Sequence, residues 1–300
     1  MSHTGSTLLF GLIGDPVAHS LSPFIMNRAF QNISIDAVYV AFGIRPAILN
    51  QSIGGLRALG AMGLNITYPY KQEVLYQLDV VTSDAELIDA VNTVMIFDDE
   101  IHGYNTDAPG TALALETFAD VTLEGNRAFI YGAGGSARAA AYGLLESGVE
   151  RLTLGVRSAD RVQTIIEAFQ FAFPEQLIDF VILDDPTTSL QREEAFRESG
   201  VVINATPVGM AGVASGELIE DVSWIGSHQC FFDFVYHPRQ TSFLNTAREN
   251  GAKTLGGIAL LIAQAAESFR LWTDRSFDIE EMAQAVELFS SPGADSGGLN

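Results

Sequence analysis

The chain has 300 residues, a length that fits one large domain or two ordinary ones, and 47% of them are apolar while 18% are charged. These proportions are typical of a globular protein. The net charge of −21 argues against nucleic acid and anionic membranes as partners, because both attract basic surfaces. No apolar run reaches the roughly 18 residues of a transmembrane helix, and the N-terminus lacks the basic segment of a secretory signal.

Cysteine and lysine are both scarce in this chain. The only cysteine, Cys230, allows no intramolecular disulfide and fits a reducing compartment, and we expect it to be a small core residue. Of the 16 basic residues only two are lysines, Lys71 and Lys253, so each of them requires an explanation. The acidic, lysine-poor composition fits a high-salt cytoplasm or a biased genomic composition about equally well.

Apolar, strand-like runs alternate along the chain with stretches of helical spacing, which predicts an α/β protein. The first part predicts strands over 8–14, 37–44, 63–67 and 90–97 and helices over 22–32, 46–60 and 71–78. The second part predicts strands over 126–131, 152–156, 179–183, 201–206 and 231–236, with helices that begin near 109, 135, 160, 188 and 241. A last long helix runs from Gly257 through Trp272, while the small, polar ends 1–7 and 290–300 are predicted to be disordered.

A glycine turn between a predicted strand and a predicted helix indicates a dinucleotide site. Its residues are Gly132, Ala133, Gly134, Gly135, Ser136 and Ala137. Glycines permit a tight turn and a close approach of the backbone, and a helix N-terminus offers N–H groups to a pyrophosphate. The alternative is an ordinary glycine-rich connection, which the strand and helix around the turn make less favourable.

The end of the next strand favours NADP over NAD. An NAD site has an acidic residue there, whereas this chain has Arg157 and Ser158, with Arg161 close behind. Guanidinium groups match the oxygens of a 2′-phosphate. Alternatively, the two arginines are solvated residues at a helix start, and Asp160 pairs with one of them.

Three other segments place polar side chains in turns. Thr67 and Lys71 follow a strand at the edge where α/β proteins form sites, and Asp107 closes the run Gly103-Tyr104-Asn105-Thr106-Asp107 before a helix. Ser20 and Ser22 can both donate to a carboxylate. The structural alternatives are a surface lysine, an aspartate cap and N-cap serines. Asn92 and Gln264 add amide groups that can bind hydroxyls.

Taken together, these segments resemble the shikimate dehydrogenase family over almost the whole chain. In order they are Gly14-Asp15-Pro16 with His19-Ser20-Leu21-Ser22-Pro23; Asn65-x-Thr67-x-Pro69-x-Lys71; Ala90-Val91-Asn92-Thr93; Gly103-x-Asn105-Thr106-Asp107; the glycine turn with Arg138; Asn204-Ala205-Thr206-Pro207-x-Gly209-Met210; Asp233-x-x-Tyr236; and Gln264 ahead of Phe269 and Trp272.

The resemblance implies an α/β fold with two domains that flank a cleft. These are an N-terminal α/β substrate-binding domain over 1–107 and 257–300 and a Rossmann-type, doubly wound NADP-binding domain over 108–256, with the C-terminal helix returning to the first domain. It implies a cytoplasmic enzyme that reversibly reduces 3-dehydroshikimate to shikimate with NADPH, a step toward the aromatic amino acids. Its implied ligands are this small molecule and the cofactor; no metal is implied, and a homodimer is left open.

The resemblance also implies a role for each matching residue. Lys71 and Asp107 form the catalytic pair. The substrate carboxylate is held by Ser20, Ser22 and Tyr236, and the ring hydroxyls are contacted by Thr67, Asn92, Asp107 and Gln264. The cofactor is bound by the glycine turn Gly132–Ala137 and by Arg157, Ser158, Arg161, Thr206 and Gly257.

Some positions depart from the family pattern and bear on specificity. Val156 replaces an asparagine of the family, the stretch Gly256–Leu261 differs from the family's Asp-Gly-x-Gly-Met-Leu near the nicotinamide, and Tyr68 is bulkier than the usual aliphatic residue. One alternative is therefore a quinate or dual quinate/shikimate dehydrogenase that uses NAD. A non-catalytic NADP-binding sensor has no need of Lys71 and Asp107, and a folate-type dehydrogenase leaves Ser20 and Ser22 without a purpose.

Overall fold

The computed structural model describes residues 3–160, 162–214 and 216–289, and the chain divides in it into two units. The first unit comprises Met1–Val80, Val91–Gly103 and Ala265–Asn300, and the second comprises Val81–Ala90 and Tyr104–Gln264. The domains predicted from the sequence divide after residues 107 and 256. Those boundaries separate a substrate-binding domain from a cofactor-binding domain, and they remain a prediction. Arg161 and the tail 290–300 lie outside the described residues.

The first unit is built on a six-stranded mixed sheet with the strand order β2-β1-β3-β5-β6-β4. The strands are β1 (Leu8–Gly14), β2 (Ala37–Gly43), β3 (Ala61–Ile66), β4 (Val80–Val81), β5 (Thr93–Phe97) and β6 (Glu100–Tyr104). β1 pairs in parallel with both β2 and β3, whereas β5 runs antiparallel to β3. The carboxyl ends of β1 and β3 and the start of β5 therefore meet at one edge of the sheet.

Helices cover this sheet with apolar faces. They are α1 (Ser22–Asn32), α2 (Leu49–Ala58), α10 (Ile279–Phe289) and the later part of α9 (Gly257–Thr273). Ile25, Met26, Ala29 and Phe30 form the buried stripe of α1, as the helical period requires. The predicted helix over 71–78 is wrong in type and extent: a 3-10 helix occupies Glu73–Gln77 only, five residues within a stretch that leads directly into β4.

The second unit contains a fully parallel sheet with the order β12-β11-β10-β7-β8-β9. Its strands are β7 (Arg127–Tyr131), β8 (Arg151–Val156), β9 (Leu177–Ile182), β10 (Val201–Asn204), β11 (Cys230–Asp233) and β12 (Lys253–Leu255). Read from β9, this is the order 3-2-1-4-5-6, which reverses between β7 and β10. The predicted Rossmann-type, doubly wound fold is confirmed.

Both faces of the parallel sheet are covered. Ala128 and Ile130 of β7 join a core cluster on one face, and the alternate residues Phe129 and Tyr131 join a second cluster on the other face. The covering helices are α4 (Asp107–Ala119), α5 (Gly135–Glu146), α6 (Val162–Ala172), α7 (Ser189–Glu198) and α8 (Ser242–Glu249), and α3 (Ser83–Ile88) packs against α5. Cys230 is buried in the first of these clusters, as predicted.

The long helix α9 begins in the second unit and ends in the first. Near its end, the ring centroid of Phe269 lies 5.2 Å from that of Phe30, and the ring centroid of Trp272 lies 5.0 Å from that of Phe10. Trp272 Nε1 also donates to Val94 O at 3.0 Å. The predicted return of the C-terminal helix to the first domain is confirmed. Within the described ranges, no helix combines the length and the apolar character needed to cross a membrane.

The segment before β1 also has defined contacts. We predict residues 1–7 to be disordered, but Thr7 Oγ1 donates to Asp36 Oδ1 at 2.8 Å, and Leu8 N donates to Asp36 O at 3.0 Å. Both bonds tie the start of β1 to the residue that precedes β2.

Candidate active site

The turns that follow β1 and β3 are joined by backbone hydrogen bonds. Thr67 N donates to Ile13 O at 2.9 Å, and Asp15 N donates to Tyr68 O at 3.1 Å. Lys71 O accepts from Val91 N at 2.8 Å, which connects the lysine segment to the chain just before Asn92. The first unit therefore gathers Thr67, Lys71 and Asn92 at one edge of its sheet.

The two candidate serines lie at the start of α1, beyond the turn that follows β1. Ser22 is the first residue of α1 and is only 6% exposed, while Ser20 is half-buried. Ser20 Oγ accepts from Ser22 N at 3.2 Å. That bond leaves the Ser20 O–H as a donor, so it is compatible with the binding of a carboxylate.

A buried polar network lies beside Asn92 in the first unit. Asn65 Oδ1 accepts from the Tyr39 hydroxyl at 2.8 Å, and Asn65 Nδ2 donates to Thr93 Oγ1 at 3.0 Å and to Ser268 Oγ at 2.9 Å. Thr93 Oγ1 in turn donates to Asn92 Oδ1 at 3.1 Å. Burial raises the pKa of Tyr39 well above its ordinary value, which keeps its hydroxyl protonated as a donor.

Sequence reasoning missed the positioning role of this network. Tyr39 and Ser268 occur in an ordinary strand and helix, and Ser268 is 203 positions from Asn65, so no local pattern connects them. Asn65 belongs to a family-like segment, but the resemblance assigns its side chain no role. The network restricts the amide of Asn92, which we predict to bind a ring hydroxyl.

Asp107 occupies the first turn of α4 in the second unit and is only 6% exposed. Asn105 fixes the entry of this helix: its Nδ2 donates to Ala90 O at 2.9 Å, and its Oδ1 accepts from Ala108 N at 3.1 Å. Helix α4 begins at Asp107 itself, with Thr106 at the N-cap position, which weakens the alternative that Asp107 serves only as the helix cap.

Helices α4 and α9 approach each other closely at Gly110 of α4 and Gln264 of α9. A Cβ at Gly110 would lie 2.8 Å from Gln264 N and 2.9 Å from its Cα, so only glycine permits this approach. Asp107 is three residues before Gly110 and therefore shares its helix face. Gln264 is buried, and its Nε2 donates to Leu261 O at 2.8 Å.

The glycine turn follows β7, at the point where the strand order reverses. Gly132 has a φ of +111° and donates its N–H to Gly155 O at 2.9 Å, and a Cβ at this position would lie 3.1 Å from Thr206 Cγ2. Helix α5 begins at Gly135 after Gly134, which has no side chain to cap it. First-turn N–H groups have no acceptor within their own helix, so this turn fits a pyrophosphate.

Three other predicted cofactor residues follow the carboxyl ends of β8 and β10, the two strands that flank β7. Arg157 and Ser158 follow β8 and are exposed, and Ser158 Oγ accepts from Asp160 N at 3.3 Å. Thr206 follows β10, where its Oγ1 donates to Asn204 Oδ1 at 2.7 Å. The basic residue and the hydroxyl at the end of β8 fit a 2′-phosphate, and no carboxylate occupies either position.

Tyr236 and Gly257 lie beyond β11 and β12 respectively. Tyr236 is half-buried, and burial raises the pKa of its phenol, so the O–H remains a donor at neutral pH. Gly257 is buried and begins α9, the helix that carries Gln264. The second unit therefore holds Asp107 with Gln264, and it holds the glycine turn, Thr206, Tyr236 and Gly257 on the strand ends of its parallel sheet.

Comparisons with family models and with individual proteins agree on one family. The model of the shikimate dehydrogenase substrate binding domain matches residues 12–94, and that of the shikimate 5′-dehydrogenase C-terminal domain matches residues 257–287. The chain is 37% identical over 279 residues to a shikimate dehydrogenase (NADP(+)) of Caldanaerobacter subterraneus subsp. tengcongensis, which covers 93% of this chain and 96% of the relative.

Solved structures of similar proteins include two with different names. Shikimate 5-dehydrogenase from Thermus thermophilus, in complex with NADP(H) and shikimate, is 32% identical with a TM-score of 0.81, covering 94% of this chain and 99% of that one. Quinate dehydrogenase from Corynebacterium glutamicum, in complex with NAD, is 30% identical with a TM-score of 0.81, covering 93% of this chain and 98% of that one.

The glycine turn yields a binding test that needs no turnover. Gly132→Ala introduces strain at a positive φ and a methyl group next to Thr206, so we expect it to weaken NADPH binding by about tenfold. Gly125→Ala is the matched control, because Gly125 also has a positive φ, +70°, but has open space around its Cβ position. NADPH fluorescence titration measures both variants, and equal binding by the two would contradict a role of the turn.

Proposed function

Because the chain belongs to the shikimate dehydrogenase family, we propose that it catalyses the reversible NADPH-dependent reduction of 3-dehydroshikimate to shikimate. The observation that carries this proposal is the grouping of Thr67, Lys71 and Asn92 at one edge of the first sheet. That edge offers an ammonium group, a hydroxyl and an amide to one small polar ring. In the second unit, Asp107 and Gln264 add a carboxylate and an amide.

NADP(H) is the cofactor, and it supplies the hydride that the ketone carbon accepts. The protein's part is to hold the dinucleotide: the first-turn N–H groups of α5 would bind the pyrophosphate, and Arg157 and Ser158 would bind the 2′-phosphate. Thr206 and Gly257 lie on the half of the sheet beyond the reversal point. Arg161 is proposed as a second phosphate contact from its position in the sequence alone.

Neutral donors orient the substrate. We assign the substrate carboxylate to the hydroxyls of Ser20, Ser22 and Tyr236, which hold an anion without adding another full charge next to the catalytic lysine. Asn92, Thr67 and Gln264 bind ring hydroxyls. A site that is built to hydrogen-bond hydroxyls rejects analogues that lack them, because its own polar groups are then left unpaired.

Lys71 and Asp107 handle the proton. The Lys71 ammonium polarises the ketone oxygen, and as negative charge develops on that oxygen the pair delivers a proton to it. In the reverse reaction the same pair accepts the proton of the hydroxyl that is oxidised.

A quinate dehydrogenase is the second candidate, because one of the similar structures has that activity in its name and binds NAD. Arg157 and Ser158 at the end of β8 favour the phosphorylated cofactor over NAD, and Arg161 follows them in the sequence. A cytoplasmic location is part of the proposal: Cys230 is buried, and burial raises the pKa of its thiol to about 11, so it stays a protonated core residue. The homodimer stays open.

The low lysine content makes the catalytic assignment easy to test. Lys71→Ala removes the ammonium that polarises the ketone, so we expect kcat for shikimate oxidation to fall by about 10²–10⁴-fold, with a smaller change in KM. Lys253→Ala is the control, since that side chain is exposed and donates to Ala119 O at 3.2 Å. Steady-state rates from NADPH absorbance measure both, and near-normal turnover of Lys71→Ala would remove this residue from the mechanism.

The assignment of the 2′-phosphate predicts a change in cofactor preference. Arg157→Ala should raise KM for NADPH by about tenfold and leave KM for NADH almost unchanged, because only NADPH carries the phosphate. Arg151→Ala at the other end of β8 is the control; its guanidinium pairs with Asp179 at 2.9 Å. Initial rates at varied NADPH and NADH give the four constants. An equal rise for both cofactors would argue against the assignment.

A further inference from the structure

Asp233 is a fully buried carboxylate at the carboxyl end of β11. Its Cα is paired in register with that of Asn204, the last residue of β10. Both residues therefore lie just below the turns that carry Thr206 and Tyr236. The substrate and cofactor contacts proposed above give Asp233 no role.

Three neutral donors surround the Asp233 carboxylate. Its Oδ1 accepts from Asn204 Nδ2 and from Val235 N, both at 2.9 Å, and its Oδ2 accepts from Thr241 Oγ1 at 2.6 Å. Among the described residues, no cationic side chain forms an ion pair with it. Burial raises the pKa of Asp233 above its ordinary value, and the three donated hydrogen bonds oppose that rise.

The orientation of the neighbouring amide shows that Oδ1 is an acceptor. Thr206 N is only a donor, and it contacts Asn204 Oδ1 at 3.0 Å, so the Asn204 Nδ2 group must face the other way. That Nδ2 group reaches Val208 O at 3.0 Å as well as Asp233 Oδ1. A chain of hydrogen bonds thus leads from the Asp233 carboxylate through Asn204 to Thr206, which contacts the glycine turn.

An ionised carboxylate at this position costs the fold stability. A buried carboxylate without a cation loses its hydration, and the hydrogen bonds from neutral groups restore only a part of it. An asparagine in this place would keep its oxygen toward Asn204 and Val235 and could donate its amide to the Thr241 hydroxyl, which is able to accept. The hydrogen-bond pattern alone therefore does not require an aspartate.

The strand order places Asp233 in a defined half of the dinucleotide site. In a doubly wound sheet each half binds one mononucleotide, and the two meet at the reversal point. The half with β7, β8 and β9 carries the glycine turn and Arg157. By this rule the half with β10, β11 and β12, which contains Asp233, would hold the nicotinamide mononucleotide.

We infer that the Asp233 carboxylate stabilises oxidised NADP⁺ over NADPH, because the nicotinamide ring is a cation only when oxidised. This inference rests on the proposed function, since it needs NADP(H) in the site. The charge acts through space in a water-poor environment, where a unit charge has a long reach. Asp233 thereby adjusts the balance between the two cofactor forms on the protein, and with it the direction in which the bound pair reacts most readily.

The test measures the affinity for each cofactor form without substrate. Isothermal titration at neutral pH gives Kd for NADP⁺ and for NADPH with wild type and Asp233→Asn. We expect Asp233→Asn to weaken NADP⁺ binding by about tenfold and NADPH binding by less than about twofold. Thermal unfolding checks that the variant is folded; Asp233→Ser is a second neutral variant for which the same change in the Kd ratio is expected.

Two controls separate charge from structure. Thr241→Val removes one donor but keeps the carboxylate, and Asp179→Asn removes a carboxylate from β9 in the other half of the sheet. Neither should change the ratio of the two Kd values. If the neutral variants of Asp233 weaken NADP⁺ and NADPH alike, or neither, the inference is overturned while the proposed function stands. A wild-type protein that binds neither nucleotide would overturn the proposed function itself.

Discussion

Parallel pairing of neighbouring strands decides where the candidate functional residues lie. Because β1 and β3 run in the same direction, the turns after Gly14 and Ile66 end at one edge, although about fifty residues separate them in the chain. The same rule applies to β7 and β10, whose ends carry the glycine turn and Thr206. Antiparallel β5 then contributes its start, not its end, to the first edge, and this brings Asn92 to it.

Buried polar side chains hold the residues at these sheet edges in one conformation. In the first unit Asn65 joins Tyr39, Thr93 and Ser268, and in the second unit Asn204 joins Asp233 and Thr206. Removing one partner from such a network leaves a buried donor or acceptor unsatisfied, at a cost of about 1–3 kcal/mol. These networks therefore restrict Asn92 and Thr206, the side chains that we propose as ligand contacts.

The sequence predicts the elements that depend on local pattern and misses those that depend on distant contacts. Continuous apolar runs identify β1, β7 and β8, and the glycine turn identifies the start of α5. By contrast, β6 (EIHGY) and β12 (KTL) are short and partly polar, so they have no clear strand signal and form because a neighbouring strand pairs with them. The amphipathic α10 was missed although it contains apolar residues at helical spacing.

In the candidate site too, residues in local motifs are predicted and contacts between distant segments are not. Lys71, Asp107 and the glycine turn stand out because their residue types occur in recognisable motifs. The placing of Gln264 against Gly110 and the links from Asn65 to Ser268 join positions more than 150 residues apart, and such contacts follow from the packing of helices and strands. The burial of Asp233 likewise becomes visible only when β10 and β11 are paired.

We propose that this site oxidises shikimate with NADP⁺ in preference to related pairs of substrate and cofactor. Steady-state rates with shikimate and quinate, each combined with NADP⁺ and NAD⁺, test that claim most directly. We predict the largest kcat/KM for shikimate with NADP⁺. A larger value for quinate with NAD⁺, or no turnover with any of the four pairs, would contradict it.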